Sequence, residues 1–332
     1  MEYRLLGRTG VKLSRLAFGA MSFGSDSDEA TSRKVFARCL EAGVNHFDTA
    51  DVYNRGQSEE ILGRLVAEAG CRDSVVLASK AYFPSGKDVN ARGSSRYHLV
   101  RAVESSLRRL GTDRIDLFYL HRFDDLTGLE ETLRALDDLV RQGKILYPAA
   151  SNFAAWQVSK ALGVSARLSL APIVCLQPMY NLVKRQAEVE ILPMAAGEEI
   201  GVVCYGPTGG GLLTGKYGAG RRPSSGRLLE VKMYETRYAD EKNYEVADRF
   251  TALARERGIA PVALAIAWVA AHPAVTSVLL GARNLEQLEP ALGALDIPMD
   301  ESLRAAISEL TPAPPPATDR SEEKTDANFG SR

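Results

Sequence analysis

Short apolar runs separated by longer amphipathic segments recur along the whole chain. Eight such runs can be recognised, and they lie at Leu16–Phe18, Val44–Phe47, Val75–Ala78, Ile115–Leu120, Ile145–Tyr147, Ile173–Leu176, Gly201–Cys204 and Ser277–Leu280. Runs this short and this apolar are typical of strands that are buried on both faces, as in a parallel sheet. The pattern therefore predicts eight parallel strands.

The segments between these runs have the period of amphipathic helices. In Arg96–Leu110 the apolar residues fall on one face, and Gly111 follows as a candidate C-cap. Thr127-Gly-Leu-Glu130 has the form of a capping box and predicts the start of a helix that ends near Gly143. Further helices are predicted at 29–42, 58–69, 153–162, 188–199, 243–257 and 261–271.

The alternation of strand and helix predicts the fold. A strand–helix unit recurs about every 30 to 40 residues, which indicates an α/β fold with right-handed crossovers. Eight units favour a closed (β/α)₈ TIM barrel over an open sheet. Residues 2–14 predict an N-terminal β-hairpin that turns at Gly7–Gly10. The connection between strands seven and eight contains Gly206–Asp240, which is too long for a structural turn and is expected to be functional.

Composition sets the domain organisation. The chain has 332 residues, of which 45% are hydrophobic and 25% charged, as in an ordinary globular protein. We expect residues 1–311 to form a single barrel domain. The composition changes at Pro312, and residues 312–332 predict a disordered tail because they contain little to bury.

Charge and cysteine usage exclude several classes of function. The net charge of -1 gives no global attraction for nucleic acid or anionic membranes. No apolar run is long enough to span a bilayer, and the first residues have no signal-peptide pattern. The four cysteines are widely spaced and form no metal-ligand pattern, so we expect reduced thiols, no metal and a cytoplasmic protein. The sequence leaves the number of subunits open.

Four polar residues follow neighbouring predicted strands. Asp48 ends the second strand with Tyr53 a turn later, Lys80 ends the third strand, and His121 follows the fourth. The catalytic groups of such barrels lie at the carboxyl ends of the strands. Each residue alone has a structural alternative: an N-cap for Asp48, a half-buried aromatic for Tyr53, an exposed cation for Lys80 and a core histidine for His121. Their convergence on one end of the barrel favours catalysis.

This set of residues suits the reduction of a carbonyl. A lysine ammonium beside a tyrosine stabilises the phenolate and is expected to lower the phenol pKa, and a carboxylate behind the lysine keeps it in place and charged. A histidine can donate a hydrogen bond to the substrate oxygen as negative charge develops. No side chain in the set supplies a hydride, so a nicotinamide cofactor is required.

Two stretches carry a resemblance to a known family. Gly43-Val-Asn-His-Phe-Asp-Thr-Ala-Asp-Val-Tyr53, followed by Gly56-Gln-Ser-Glu-Glu-Ile-Leu-Gly63, resembles the signature of the aldo-keto reductase superfamily. The resemblance extends to about residue 310 and is greatest to the branch that includes bacterial reductases and β subunits of voltage-gated potassium channels. It implies a (β/α)₈ barrel, reduction of aldehydes or ketones by NADPH, and a catalytic tetrad at Asp48, Tyr53, Lys80 and His121, with Tyr53 as the general acid.

The resemblance also assigns residues to the cofactor. It implies that Ser151, Asn152 and Gln177 hold the nicotinamide carboxamide and that Tyr205 stacks on the nicotinamide ring. Lys216 is implied at the pyrophosphate and Arg283 at the 2′-phosphate, for which a guanidinium is suited. The other residues assigned to cofactor binding are Gly206, Pro207, Gly211, Leu212, Arg227, Gly281 and Gln287.

This chain departs from the family pattern at three points. The chain has Tyr205-Gly206-Pro207-Thr208 where the family has Tyr-Ser-Pro-Leu, so one side-chain hydroxyl near the phosphates is missing. Pro290-Ala291 replaces a Glu-Asn pair at the adenine, and Ala149-Ala150 replaces Gly-Val under the nicotinamide. We therefore expect all four catalytic positions to be intact and cofactor binding to be weaker than is usual in the family.

The substrate is expected at the mouth of the barrel. The residues predicted to contact it are Met21, Phe23, Phe83, Arg122 and Trp156, a mixture that favours an aromatic, polyketide-like or sugar-derived carbonyl compound. Two alternatives are open. One is a lyase that forms a Schiff base through Lys80, and the other is a regulatory subunit that holds NADPH and turns over slowly.

Overall fold

Ten strands and twelve α-helices form the part of the chain, residues 1–318, that the computed structural model describes. The strands are β1 Tyr3–Leu5, β2 Lys12–Ser14, β3 Leu16–Gly19, β4 His46–Asp48, β5 Val76–Ala81, β6 Ile115–Leu120, β7 Ile145–Ser151, β8 Cys175–Gln177, β9 Gly201–Tyr205 and β10 Ser277–Leu280. The helices are α1 Glu29–Glu41, α2 Gln57–Glu68, α3 Arg96–Leu110, α4 Leu129–Arg141, α5 Ala155–Leu168, α6 Ile191–Gly197, α7 Arg227–Glu230, α8 Lys232–Arg237, α9 Glu241–Glu256, α10 Pro261–Ala270, α11 Leu285–Leu292 and α12 Glu301–Ser308.

Strands β3 to β10 close into the predicted (β/α)₈ barrel. Each strand pairs in parallel with the next, and β10 pairs with both β9 and β3 to complete the ring. The eight apolar runs of the sequence all correspond to barrel strands; two have the same bounds as their strands, and the other six differ at one or both ends by one to four residues. Parallel pairing aligns the carboxyl ends of all eight strands at one mouth.

The predicted hairpin, β1 and β2, closes the other end of the barrel. Its strands pair antiparallel, with Tyr3 opposite Ser14. Leu6 and Leu13 are fully buried and join the inner core of the barrel, where they meet residues such as Leu117 and Val203. The hairpin thus seals the bottom of the barrel with apolar side chains, while polar residues remain at the mouth.

Helices cover the outside of the barrel and form a second, larger core with the outward faces of the strands. Helices α2 and α3 pack very closely, because Gly63 has no side chain and the end of α3 lies against it. A Cβ atom on Gly63 would lie 2.7 Å from the Cα of Leu110 and closer still to its carbonyl group. None of the helices of residues 1–318 is long and apolar enough to cross a membrane.

The start of α4 and the end of the chain differ in how far they follow the sequence-based expectations. The predicted capping box at Thr127–Glu130 is wrong, because Gly128 precedes α4 without a side-chain cap and the Thr127 hydroxyl donates to Asp124 at 2.7 Å. Of the predicted tail, residues 312–318 form no helix or strand, and residues 319–332 lie outside the described residues.

The long connection between β9 and β10 contains its own short elements. A 3-10 segment at Gly209–Thr214 precedes the one-turn helices α7 and α8, and then α9 and α10 return the chain to β10. The connection starts at the mouth of the barrel, because it follows the carboxyl end of β9.

Candidate active site

The carboxyl ends of the barrel strands bring the predicted residues to one place. Asp48 is the last residue of β4, and Lys80 lies one residue before the end of β5. His121 follows β6, Ser151 ends β7 and Gln177 ends β8. Tyr205 ends β9. The alternation of strands and helices in the sequence is thus sufficient to gather these polar groups around the mouth.

Lys80 and Asp48 form a buried ion pair at the centre of this mouth. Lys80 is fully buried, and its ammonium donates to Oδ1 of Asp48 and, at 2.8 Å, to the carbonyl oxygen of Thr49. Burial lowers the pKa of Lys80, and the charge of Asp48 opposes this effect. Asp48 therefore favours the charged form of a lysine that has no contact with solvent.

Gln177 connects this ion pair to the next strands. Its side-chain amide donates to Oδ2 of Asp48 at 2.8 Å, so both carboxylate oxygens of Asp48 have donors. The sequence associated Gln177 with the cofactor alone. In the structure its side chain instead fixes the carboxylate that holds Lys80.

Tyr53 lies on a short turn that is tied across the mouth. It opens a 3-10 segment, Tyr53–Gly56, in which Asn54 has a left-handed backbone with φ of 49°. The Asn54 side-chain amide donates to the carbonyl oxygens of Met21 at 2.9 Å and Phe23 at 2.7 Å. These two bonds connect the turn after β4 to the loop after β3 and hold Tyr53 in position.

The surroundings of Tyr53 keep its phenol protonated. Burial and the charge of Asp48 raise the pKa of Tyr53 well above its ordinary value. The sequence-based expectation that Lys80 lowers the pKa of Tyr53 is wrong, because the net change in this pKa is an increase. The Lys80 ammonium lies 5.2 Å from the centre of the Tyr53 ring and favours the phenolate, but burial and the charge of Asp48 outweigh this effect.

His121 is a neutral imidazole against the Tyr53 ring. Burial, and secondarily the charge of Lys80, lowers the pKa of His121 to about 3. The ring centres of His121 and Tyr53 are 5.8 Å apart in an edge-to-face arrangement. Nδ1 of His121 is buried and has no hydrogen-bond partner within residues 1–318. A neutral histidine can donate one hydrogen bond without adding charge to the site.

Asp51 is a buried carboxyl that the sequence analysis missed. Its amide donates to the carbonyl oxygen of Lys80 at 3.0 Å, but neither carboxylate oxygen has a hydrogen-bond partner within residues 1–318. Burial, and secondarily the charge of Glu59, raises the pKa of Asp51 to about 7. Its position inside the Asp48–Tyr53 stretch was a signal that could have identified it.

The residues expected at the nicotinamide are connected by hydrogen bonds. The Ser151 hydroxyl donates to the carbonyl oxygen of Gln177 at 2.9 Å. The Asn152 side-chain amide donates to Ser151 Oγ and to the carbonyl oxygen of His121, each at 3.0 Å. The Tyr205 hydroxyl donates to Oδ1 of Asn152 at 2.7 Å. The four predicted residues therefore form one fixed group beside His121.

Three cations lie close together in the segments that follow β9 and β10. They are Lys216, Arg227 and Arg283, and we call them the cation cluster. Burial lowers the pKa of Lys216, and the charges of Arg283 and Arg227 lower it further. Both arginines approach the carboxylate of Asp26, a residue that the sequence analysis did not single out. The cluster brings together all three cations that were predicted to bind the cofactor.

The other predicted cofactor residues lie in the same two loops. The carbonyl oxygen of Gly206 accepts from the Asn181 side-chain amide at 2.9 Å, and Gln287 Oε1 accepts from the Arg283 amide at 3.1 Å. The Leu212 side chain is fully buried in the core, so only its backbone is available for binding. The remaining members of the set are Pro207 and Gly211, which follow β9, and Gly281, which follows β10.

Aromatic side chains surround the outer part of the mouth. Phe83 packs edge-to-face on His121, with ring centres 5.0 Å apart, and Trp156 is 60% exposed. Phe123, which the sequence analysis missed, packs between Trp156 and Phe153 at 5.9 and 5.2 Å. These rings give the mouth an apolar wall that faces solvent.

The predicted substrate contacts differ in accessibility. Arg122 is exposed, and Met21 is half-buried in the loop after β3. The prediction for Phe23 is wrong, because its side chain is fully buried and packs against Phe18 with ring centres 5.5 Å apart. The loop turns the Phe23 ring into the core below the mouth, and only the backbone carbonyl of this residue reaches Asn54.

Comparison with known proteins agrees with this geometry. Residues 15–311 match the model of the aldo/keto reductase family. The chain is 37% identical over 326 residues to the uncharacterized oxidoreductase YrpG of Bacillus subtilis (strain 168), which covers 95% of this chain and 97% of YrpG. It is 36% identical over 301 residues to probable voltage-gated potassium channel beta subunits of Arabidopsis thaliana and of Oryza sativa subsp. japonica, covering 90% of this chain and 92% of each relative.

Proposed function

Because the chain belongs to the aldo/keto reductase family, we propose that it reduces an aldehyde or ketone to an alcohol with NADPH and that Tyr53 is the general acid. The family and the oxidoreductase among its relatives support carbonyl reduction in general. The observation that carries the specific proposal is the arrangement of Tyr53 against the buried Lys80–Asp48 pair and the neutral His121.

Each residue of this group has a distinct task in the proton transfer. Tyr53 is protonated at neutral pH, so its hydroxyl can deliver a proton to the carbonyl oxygen of the substrate. The Lys80 ammonium, 5.2 Å from the ring centre, stabilises the phenolate as it forms. Asp48 keeps Lys80 in place, and removal of either partner of such a buried pair costs about 3–5 kcal/mol.

His121 orients and polarises the carbonyl group of the substrate. Because its pKa is about 3, the imidazole is neutral at physiological pH. A neutral N–H stabilises the negative charge that develops on the carbonyl oxygen without competing with Tyr53 as a proton donor. Bound NADPH supplies the hydride, and Tyr53 returns to its protonated form by taking a proton from solvent.

The remaining polar residues of the mouth fit a dinucleotide. Ser151, Asn152 and Gln177 offer amide and hydroxyl groups that suit a carboxamide, and Tyr205 offers an aromatic face beside them. The cation cluster suits the phosphates, with Arg283 and Arg227 as candidates for the 2′-phosphate and Lys216 for the pyrophosphate. This complement of cations is why we propose NADPH rather than NADH.

The apolar wall of the mouth indicates the kind of carbonyl compound. Phe83 and Trp156, with Phe123 behind them, offer ring faces, and Arg122 offers one exposed cation. We propose that Met21, Phe83, Arg122 and Trp156 contact an aromatic or extended apolar carbonyl substrate. All four cysteines of the chain are free, which supports a reducing compartment such as the cytoplasm.

The rival chemistry of a Schiff base at Lys80 has little support. A nucleophilic amine must be uncharged and accessible, whereas Lys80 is fully buried and donates to two oxygen atoms. A regulatory role is a second candidate, because two relatives at 36% identity are named as probable potassium channel beta subunits. Rapid turnover would exclude a protein that only holds the cofactor.

The proposed function is tested by following NADPH absorbance while the full-length protein is given a panel of aromatic and aliphatic aldehydes and ketones. We expect repeated turnover with at least one aromatic aldehyde and formation of the matching alcohol. NADPH binding without turnover of any carbonyl compound would favour the regulatory role. Absence of NADPH binding would overturn the proposal.

A further inference from the structure

A carboxylate lies among the cations that are proposed to bind the 2′-phosphate. Asp26 is in the loop between β3 and α1, Arg227 begins α7 in the long connection, and Arg283 follows β10. A carboxylate oxygen of Asp26 lies 2.9 Å from Nε of Arg283 and 3.7 Å from Nη2 of Arg227. Three segments that are distant in sequence therefore meet at this one carboxylate.

The charges around Asp26 do not balance. The cation cluster contributes three positive charges. Asp26 pairs with both arginines, and the charge of Glu230 acts on Lys216 less strongly than the charges of Arg283 and Arg227 do. The excess positive charge is suited to an anion of higher charge than a carboxylate. Asp26 is 40% exposed at its side chain, and Arg283 and Arg227 are 33% and 25% exposed, so an incoming anion can reach them.

We propose that Asp26 is a specificity-determining residue that occupies the place of the 2′-phosphate in the free protein and competes with it. This inference rests on the proposed binding of NADPH. A phosphate monoester carries about −1.5 to −2 charges at neutral pH, so it can displace a single carboxylate from Arg283. A cofactor without the 2′-phosphate leaves the Asp26–Arg283 pair intact, and its binding is therefore not penalised by an unpaired guanidinium.

The consequence is that Asp26 reduces the preference for NADPH over NADH. An exposed ion pair of this kind contributes up to about 1 kcal/mol, which corresponds to roughly a fivefold change in affinity. Replacement of Asp26 by Asn should therefore tighten the binding of 2′-phosphorylated ligands about fivefold. Binding of ligands that lack this phosphate should not change.

The test measures the dissociation constants of 2′,5′-ADP and 5′-AMP by titration calorimetry on the full-length protein, in wild type and in Asp26→Asn. A matched control is Asp88→Asn, which removes the same charge from a carboxylate that is 41% exposed and lies 3.0 Å from Arg101. We expect Asp26→Asn to tighten 2′,5′-ADP alone and Asp88→Asn to change neither ligand. Thermal melts of both variants establish that they are folded.

Each outcome has a distinct meaning. If wild type prefers 2′,5′-ADP and Asp26→Asn leaves that affinity unchanged or weakens it, the role of Asp26 is refuted while the proposed phosphate site stands. An equal gain for 5′-AMP would also refute competition for the 2′-phosphate. If wild type does not distinguish the two ligands, both the proposed NADPH preference and this inference fail. A gain confined to 2′,5′-ADP that shrinks in an Arg283→Ala background supports the inference.

Discussion

At the level of single residues, the mouth of the barrel holds two buried aspartates in different surroundings. Asp48 accepts hydrogen bonds from Lys80 and Gln177, whereas neither carboxylate oxygen of Asp51 has a hydrogen-bond partner within residues 1–318. Asp51 therefore has a pKa of about 7, raised first by burial and then by Glu59. Because ionisation of the buried Asp51 costs free energy in the folded protein, this ionisation should lower the free energy of unfolding.

Asp51→Asn should stabilise the protein more at pH 8 than at pH 5. The folded protein retains the Asp51 proton up to a pKa of about 7, whereas the unfolded chain loses it near the ordinary value of 3.8. The wild type therefore loses stability between about pH 4 and pH 7, and the loss is complete above the folded pKa. Asparagine has no such loss, so its relative gain from pH 5 to pH 8 should be on the order of 3 kcal/mol.

Urea unfolding at the two pH values measures this difference. The exposed Asp113→Asn is the control, since its side chain is 82% exposed and only loosely paired with Arg114. The free energies of unfolding of wild type and Asp51→Asn could instead differ by the same amount at both pH values. Asp51 would then have the same pKa in the folded and unfolded states.

Arg283→Ala should raise the KM for NADPH far more than the KM for NADH. A charge-assisted contact of guanidinium to phosphate contributes about 1.5–3 kcal/mol, which corresponds to roughly a 10- to 100-fold change. Initial rates with each cofactor measure the effect, and the exposed Arg101→Ala is the control because Arg101 pairs with Asp88 instead. Equal increases for both cofactors would contradict the assignment of Arg283 to the 2′-phosphate.

The sequence indicated which residues meet at the mouth of the barrel, but it said less about what surrounds each side chain. Tyr53, Lys80 and His121 could be placed at one mouth because each lies at or shortly after the carboxyl end of a strand of a parallel barrel. The direction of the Tyr53 pKa and the burial of Phe23 depend on how loops pack on the barrel, which no short-range pattern encodes. Asp26 was missed for the same reason, since its partners are distant in sequence.

At the level of elements, the hydrophobic periodicity located all eight barrel strands and eight of the twelve helices in residues 1–318, but it missed α7, α8, α11 and α12 and placed most ends a few residues away. Thr127 satisfied a capping-box pattern, yet its hydroxyl bonds Asp124, which offers a carboxylate in a preceding loop. The helix predicted at 188–199 is confined to Ile191–Gly197, and a 3-10 segment at Gln186–Glu188 precedes it. Tertiary hydrogen bonds at element ends thus outweigh the local signals.

The contact between α2 and α3 gives a prediction at this scale. Gly63→Ala should destabilise the protein by about 2–3 kcal/mol, because the new methyl group meets backbone atoms of Leu110 that cannot move independently. Gly163→Ala is a matched control in α5, where nothing lies within 4 Å of an added Cβ atom. The control should stabilise by roughly 0.5–1 kcal/mol through helix propensity alone.

Chemical denaturation of the two variants measures both effects. We expect Gly63→Ala to lower the free energy of unfolding and Gly163→Ala to raise it, although both substitutions add one methyl group to a helix. A Gly63→Ala variant as stable as wild type would mean that α2 and α3 are farther apart than the structure has them.

At the level of the whole molecule, the two ends of the barrel differ: apolar side chains close one end, and the polar groups proposed for catalysis lie at the other. The hairpin closes one end with Leu6 and Leu13 in the inner core, and the mouth at the other end keeps Lys80 and Asp48 buried but close to the proposed substrate site. The sequence was sufficient to predict this architecture, because eight strand–helix units in succession favour a closed parallel barrel over an open sheet. The central claim is that Tyr53, at this mouth, donates a proton to the carbonyl oxygen of the substrate.

That claim is tested most directly by the single-turnover rate of NADPH oxidation in Tyr53→Phe with a saturating aldehyde that the wild type reduces. A general acid contributes about 10²- to 10⁴-fold, so the rate should fall by that factor while NADPH still quenches the protein fluorescence with unchanged affinity. Tyr82→Phe, which removes a hydroxyl from a ring that packs on Phe83 at the same mouth, should keep the wild-type rate. A Tyr53→Phe protein that reduces the aldehyde at the wild-type rate would contradict the account.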